Sequence, residues 1–233
     1  MKLKTLLKSC SLISLSIFMS NNLSAAAAKD IFITPMLIHI APADKKEPVI
    51  TDLNNSVIPG LDISASSETI PGIGLTYMLS EKLAIETYLA FPPTHDILIT
   101  GMPGIPGELK GGTTDMIPLA IFGQYHHAIP ETNLTLVGGI GLIYAMFENI
   151  DVEESLIQLD PSIKFLADDT FGFSFQLGGE YKLGDKYHLR ATYTKMLLDI
   201  DFTVATSPQL FGNLTSTLGL SPDLFMLGVA YKL

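Results

Sequence analysis

The sequence predicts an all-β protein: an eight-stranded antiparallel transmembrane β-barrel preceded by a cleaved signal peptide. Three observations carry that expectation. First, the chain is 47% hydrophobic and only 16% charged, yet beyond its N-terminal segment it has no apolar run of membrane-helix length. The longest apolar tract, 134–147 (LTLVGGIGLIYAMF), is too short and too rich in glycine. Second, residues 171–183 (FGFSFQLGGEYKL) alternate with period two. Phe171, Phe173, Phe175, Leu177, Tyr181 and Leu183 share one face, and Gly172, Ser174, Gln176, Gly178, Glu180 and Lys182 share the other. A strand separates these sets, whereas a helix would scatter them around its circumference. Third, strand-like segments are joined by short and long connections in strict alternation, as a barrel with both termini on the periplasmic side requires.

Eight segments are placed in order: 31–40, 69–79, 83–92, 115–126, 134–147, 170–183, 187–199 and 224–233. The short turns are 80–82, 127–133 and 184–186, assigned to the periplasm. The long loops are 41–68, 93–114, 148–169 and 200–223, assigned to the outside. In hydrocarbon every backbone N–H and C=O needs a partner within the protein, so the sheet must close. Eight strands enclose a lumen that side chains can fill, or that admits one slender ligand, and this excludes a wide aqueous pore.

The two ends fit an exported protein. Lys2, Lys4 and Lys8 form a basic region, residues 12–19 an apolar core, and 24–28 (SAAAA) a small-residue cleavage site, so residues 1–28 are read as a signal peptide. Residues 29–233 are read as the outer-membrane barrel. The single cysteine, Cys10, falls in the signal, which leaves the mature chain without disulfides, thiolate metal ligands or cysteine nucleophiles. The full chain has 14 basic and 24 acidic residues. Losing three lysines leaves 11 against 24, a formal charge of −13, which excludes nucleic acid as a partner. At the other end Phe225, Leu227, Val229, Tyr231 and Leu233 share one face up to the last residue. Such a strand is the signal an outer-membrane barrel presents to its assembly machinery, although Leu233 stands where Phe is usual.

These strands resemble the outer membrane protein W family, including its alkane-uptake relatives. The resemblance is carried by 74–97 (GLTYMLSEKLAIETYLAFPPTHDI). Within it Thr76-Tyr77-Met78, Ile85-Glu86 and the segment from Pro92 through His95 to Ile97 match the family's hairpin and the strand leaving it. Val137-Gly138-Gly139 through Tyr144, Gly178-Gly179-Glu180-Tyr181, Leu198-Asp199-Ile200-Asp201 and the end from Ser221-Pro222 match in the same order. The family's tryptophans are absent, and Tyr77, Tyr187, Tyr193 and Tyr231 stand for them in the interfacial girdle. The resemblance implies a narrow, apolar, cofactor-free passage for small hydrophobic molecules, taken up from the loop side and released sideways into the bilayer. The alternative is a non-conducting barrel whose loops act as receptor or adhesin. Outer-membrane lipid and lipopolysaccharide are expected neighbours under either reading.

Candidate site residues follow from strand parity. Thr76, Glu86, Tyr88, Ser174, Gln176, Arg190 and Thr192 are expected to line the lumen. Glu86 and Arg190 would form either an interior ion pair or a polar gate, because a charge facing mid-membrane lipid costs about 2–4 kcal/mol. The fourth and fifth strands are apolar on both faces, and Leu119 and Ile121 are assigned to the lumen side of the fourth. Pro35, Pro71 and Pro118 each remove a ladder hydrogen bond, and Pro35 or Pro118 is the candidate for loosening the wall at a lateral exit. His95 and Asp96 are candidates for organising a loop base. No residue set suggests a metal site, a cofactor or catalysis. Adjacent His126 and His127 point to opposite faces, and Gly138-Gly139-Ile140-Gly141 lacks the strand-then-helix context of a phosphate loop. Glu153-Glu154 and Asp168-Asp169 read as solvated loop charges.

Overall fold

The computed structural model describes residues 26–42, 48–102, 105–208, 212–218 and 221–233. The signal-peptide assignment therefore falls almost wholly outside the described residues.

Eight strands form the wall: β1 (Ile31–Ala41), β5 (Glu68–Met78), β6 (Leu83–Ala90), β8 (Glu108–Ala128), β9 (Leu134–Val152), β11 (Thr170–Lys182), β12 (Tyr187–Leu197) and β15 (Asp223–Lys232). Each pairs antiparallel with the next around the ring, and β15 returns to β1, so the sheet closes. Closure satisfies the backbone where water is absent. The alternation seen in the sequence becomes inside and outside. On β11, Phe171, Phe173, Phe175 and Leu177 are exposed on the outer face, while Gly172, Ser174 and Gln176 are buried. At the short-turn end the rings of Tyr187 and Tyr231 meet at 5.2 Å, tilted by 45°, with the Lys186 ammonium over the Tyr231 ring, a pairing suited to a bilayer interface.

The long connections are not plain loops, and this corrects the sequence expectation. They carry β2 (Ile50–Thr51), β3 (Ser56–Val57), β4 (Asp62–Ala65), β7 (Thr94–Thr100), β10 (Lys164–Ala167), β13 (Ile200–Ala205), β14 (Asn213–Leu218) and a one-turn helix α1 (Glu154–Leu159). The strands β8 and β9 run on for 21 and 19 residues. At about 3.4 Å per residue these are roughly twice the length a tilted barrel strand needs to cross a bilayer. Their upper halves stand clear of the membrane, with β7 and then β4 added along β8. A second sheet, in the order β10-β13-β14-β2-β3, completes an external lobe. The lobe has its own apolar core, including Val49, Ile63, Ile99, Leu156, Phe165 and Phe202. Two glycines fix its inner turn. Gly101 (φ +75°) approaches Gly60 so closely that a Cβ there would lie 1.7 Å from the Gly60 carbonyl oxygen.

Candidate functional site: a divided lumen and a gap in its wall

The side chains pointing into the barrel sort into layers. Nearest the periplasm, Phe32, Met78, Ala84 and Ala230 make a small apolar plug. Above and beside it lies a polar network. Glu86, fully buried, accepts hydrogen bonds from Thr76 Oγ1 (2.7 Å), Tyr88 OH and Gln124 Nε2, and pairs with Arg190 (2.6 Å from Oε1 to Nη1, 2.9 Å from Oε2 to Nη2). Gln176 donates to the Tyr88 hydroxyl and to Thr194 Oγ1 (3.3 Å), and its Oε1 accepts from Gln124 (2.6 Å). Arg190 also lies 3.3 Å from Glu180, whose other oxygen faces His188 (3.7 Å) and His126 (4.0 Å). Glu180 and these histidines line a polar cavity of about 110 Å³ at the periplasmic mouth. A buried ion pair is tolerable only when its remaining hydrogen-bonding capacity is met, and five strands supply the partners. The result is a floor that crosses the lumen from wall to wall.

Above the floor the chemistry reverses. Met36, Ile38, Ile40, Met116, Ile143, Ala145, Met196, Leu198, Leu224 and Met226 form one buried apolar cluster inside the upper barrel. Phe122 lies across the boundary, its ring 5.3 Å from that of Tyr88. It fits because residue 141 is glycine, where a Cβ would sit 2.6 Å from the Phe122 ring and 2.4 Å from Ser174 Oγ. At the top, between barrel and lobe, an apolar cavity of about 50 Å³ is bounded by Ile40, Ile97, Met116, Phe147, Leu198 and Phe202. Four methionines in the cluster leave it adaptable, since their unbranched side chains repack easily.

The wall beside this apolar half is incomplete. The β6–β8 ladder ends at the pair Thr87/Ile121, and pairing with β8 resumes only at Thr94/Asp115 on β7. Between them residues 88–93 face 116–120 without ladder partners, bridged by the Met116 N–H to the Pro93 carbonyl (3.1 Å) and by Thr87 Oγ1 to the Ala120 carbonyl (2.8 Å). Three prolines, Pro92, Pro93 and Pro118, flank the interruption, and none has an N–H to offer. On their other sides β6 and β8 remain paired with β5 and β9.

Thr76, Glu86, Ser174, Gln176, Arg190 and Thr192 are all buried inside the barrel, and Tyr88 joins the network. Leu119 and Ile121 do not line the lumen: both are half exposed on the lipid face, and Ala120 and Phe122 point inward instead. Gln124 and His126 share parity with Phe122, and polar groups cannot face lipid cheaply, so the even-numbered side of β8 had to be the inner one. Pro118 lies on the wall gap. Pro35 does not: it faces outward opposite Ile73, at a two-residue break against β15 where the backbones are so close that a Cβ on Gly228 would come 2.5 Å from the Pro35 carbonyl. Pro71 is also exposed on the outer face, opposite Leu37. His95 and Asp96 sit at the base of the lobe, with His95 Nδ1 on the Ser66 carbonyl (2.8 Å) and Asp96 on Lys110 (2.7 Å). Parity reasoning missed Gln124 and Phe122, and it missed the wall gap, whose signal was the Phe91-Pro92-Pro93 break followed by renewed alternation at 94–100.

The family model described as the OmpW family matches residues 27–233. Outer membrane protein W of Vibrio cholerae is 24% identical over 225 residues, covering 96% of this chain and 97% of that protein. The crystal structure of OprG from Pseudomonas aeruginosa superposes with a TM-score of 0.80 at 20% identity, covering 90% of this chain and 98% of that one. The solid-state NMR structure of AlkL in DMPC bilayers gives 0.64 at 18% identity, covering 92% and 97%.

Proposed function

This chain belongs to the OmpW family of bacterial outer-membrane β-barrels, and from that premise we propose that it takes up small hydrophobic molecules and releases them sideways into the membrane. The observation that carries the reading is the coincidence of an apolar upper lumen, a sealed polar floor beneath it, and an unpaired stretch of wall beside it. A greasy solute reaching the upper lumen would have to desolvate and part the Glu86–Arg190 network to continue along the axis. Entering lipid through the wall at 88–93 and 116–120 breaks no ladder hydrogen bond. Thr76, Glu86, Tyr88, Ser174, Gln176, Arg190 and Thr192 then act as the stop that turns the solute rather than as a binding site. Pro118, with Pro92 and Pro93, keeps the exit unpaired. The external lobe shields the route from water above the membrane, and residues 1–28 serve as the export signal. Neither a cofactor nor catalysis has a part in this reading.

The test is the rate at which the apolar dye N-phenyl-1-naphthylamine reaches the outer membrane of cells with and without the barrel, alongside ion conductance of the purified barrel in planar bilayers. The reading expects faster dye transfer and no steady ion current. Unchanged dye transfer with a correctly folded barrel would count decisively against it.

A further inference from the structure

The cavity at the top of the lumen is lined by apolar side chains apart from Ser64 and the pair Thr114 and His95. Thr114 and His95 face each other across the β7–β8 ladder, and both line it. The Thr114 hydroxyl is buried and has no hydrogen-bond partner, which leaves a polar group unsatisfied in an otherwise greasy chamber. His95 is 4% exposed, and its Nδ1 meets the Ser66 carbonyl at 2.8 Å. A carbonyl can only accept, so Nδ1 carries a proton, and in that tautomer Nε2 is the ring atom left to accept from a guest. Asp115 on the neighbouring position is already engaged by Thr94 Oγ1 (2.5 Å) and Asn149 Nδ2 (2.7 Å), and Asp96 by Lys110.

We propose that Thr114 and His95 form a polar handle that selects, among hydrophobic solutes, aliphatic alcohols. The proposal rests on the uptake reading above and names its preferred substrate class. A hydroxyl accepts from the Thr114 O–H and donates to His95 Nε2, so both groups are satisfied at once while the chain lies along Ile40, Met116 and Leu198. An ether or ester can only accept, which leaves the His95 lone pair unmet. A carboxylate has no proton to give, and it would lose its hydration in an almost wholly apolar chamber. A pure alkane leaves both groups of the handle empty.

Displacement of N-phenyl-1-naphthylamine from the purified full-length barrel in amphipol measures the handle directly. Octan-1-ol is expected to bind about fivefold more tightly than its isomer heptyl methyl ether, the effect of about one net hydrogen bond. Thr114→Val is expected to weaken octan-1-ol by about fivefold, and Thr114→Ser, which restores a hydroxyl, to recover it. Equal binding of alcohol and ether, or octanoate binding more tightly than octan-1-ol, or a Thr114→Val barrel that binds octan-1-ol like the parent, would each overturn the handle alone. Failure of every one of these probes to displace the dye would overturn the uptake reading and the handle with it.

Discussion

The lower and upper halves of one lumen are built by the same eight strands, and they differ only in what the inward positions carry. On β11 and β12 the lower positions hold Gln176, Glu180 and Arg190, whereas two or three turns of the pleat higher β12 and β9 hold Met196, Ile143 and Ala145. The lower half is held by directional bonds that each need a named partner. The upper half is held by contacts that many shapes could make. A network of the first kind is intolerant of any change and closes the barrel; a cluster of the second kind yields to a guest. The longest unpaired stretch of wall among the described residues lies beside the yielding half, which is where the proposed exit needs it.

The largest effect should come from breaking the floor. Arg190→Met leaves Glu86 buried among hydrogen-bond donors without its countercharge, and a stranded buried charge costs about 3–5 kcal/mol. Urea unfolding of the barrel in lipid should show a loss of that size. The pair Glu86→Leu with Arg190→Met should recover most of it, because the charge itself is then gone. If the single variant is as stable as the parent, the floor is not held by this pair.

A polar group placed in the upper half should cost it the capacity to yield. Ile143→Asn places an amide in the apolar cluster with no partner in reach, a cost of about 1–3 kcal/mol. Apolar dye transfer should fall while the floor stays intact, so stability and uptake should part company. Gly101→Ala in the lobe comes next. Its Cβ would collide with the Gly60 carbonyl, and its φ of +75° is unfavourable for any side chain. Faster proteolysis of the lobe with a barrel of unchanged heat stability is the expected pattern.

The smallest effect is on the lobe's response to acid. Asp160 closes α1 by accepting from the Ser162 hydroxyl (2.6 Å), the Ser162 N–H (2.9 Å) and the Ser207 N–H (2.6 Å). The Ser162 hydroxyl first, and then the Ser207 N–H, hold its carboxyl well below the usual carboxylate range. A depressed folded value stabilises above the unfolded one, near 3.9, and that contribution is lost as pH falls through the folded value. Lobe protection measured by hydrogen exchange should therefore decline on acidification below about pH 4 in the parent, and less steeply in Asp160→Asn.

Much of the barrel was legible because a half-wet, half-greasy strand writes its geometry as period two. Seven of the eight segments begin within a residue of where the sequence places them, and the eighth, β8, begins at Glu108 instead of Asp115. Its upper part, Gly111-Gly112-Thr113-Thr114, reads locally as a loop and becomes strand only because β7 and β9 lie beside it. The lobe was illegible for the same reason. It joins residues far apart in the chain, as where Asp52 accepts from the Asn213 N–H, and no local pattern encodes such pairings. Glu86 and Arg190 were legible because a charge has nowhere else to go. Leu119 and Ile121 were misplaced because hydrophobicity cannot orient a strand that is greasy on both faces, although Gln124, three positions beyond Ile121, could have oriented it.

If solutes leave through the wall at 88–93 and 116–120, closing that stretch must stop them. Continuing the β6–β8 register past Thr87/Ile121 brings Leu89 opposite Leu119, both on the lipid face. The double variant Leu89→Cys with Leu119→Cys introduces the only thiols within residues 26–233. They can be joined by oxidation or by a short bis-maleimide, with the cross-link verified by mass. With the gap stitched, transfer of N-phenyl-1-naphthylamine into the outer membrane should fall to the rate of cells lacking the barrel, and where the bridge is a disulfide, reduction should restore it. Undiminished transfer through a fully cross-linked barrel would rule out exit through this stretch of wall.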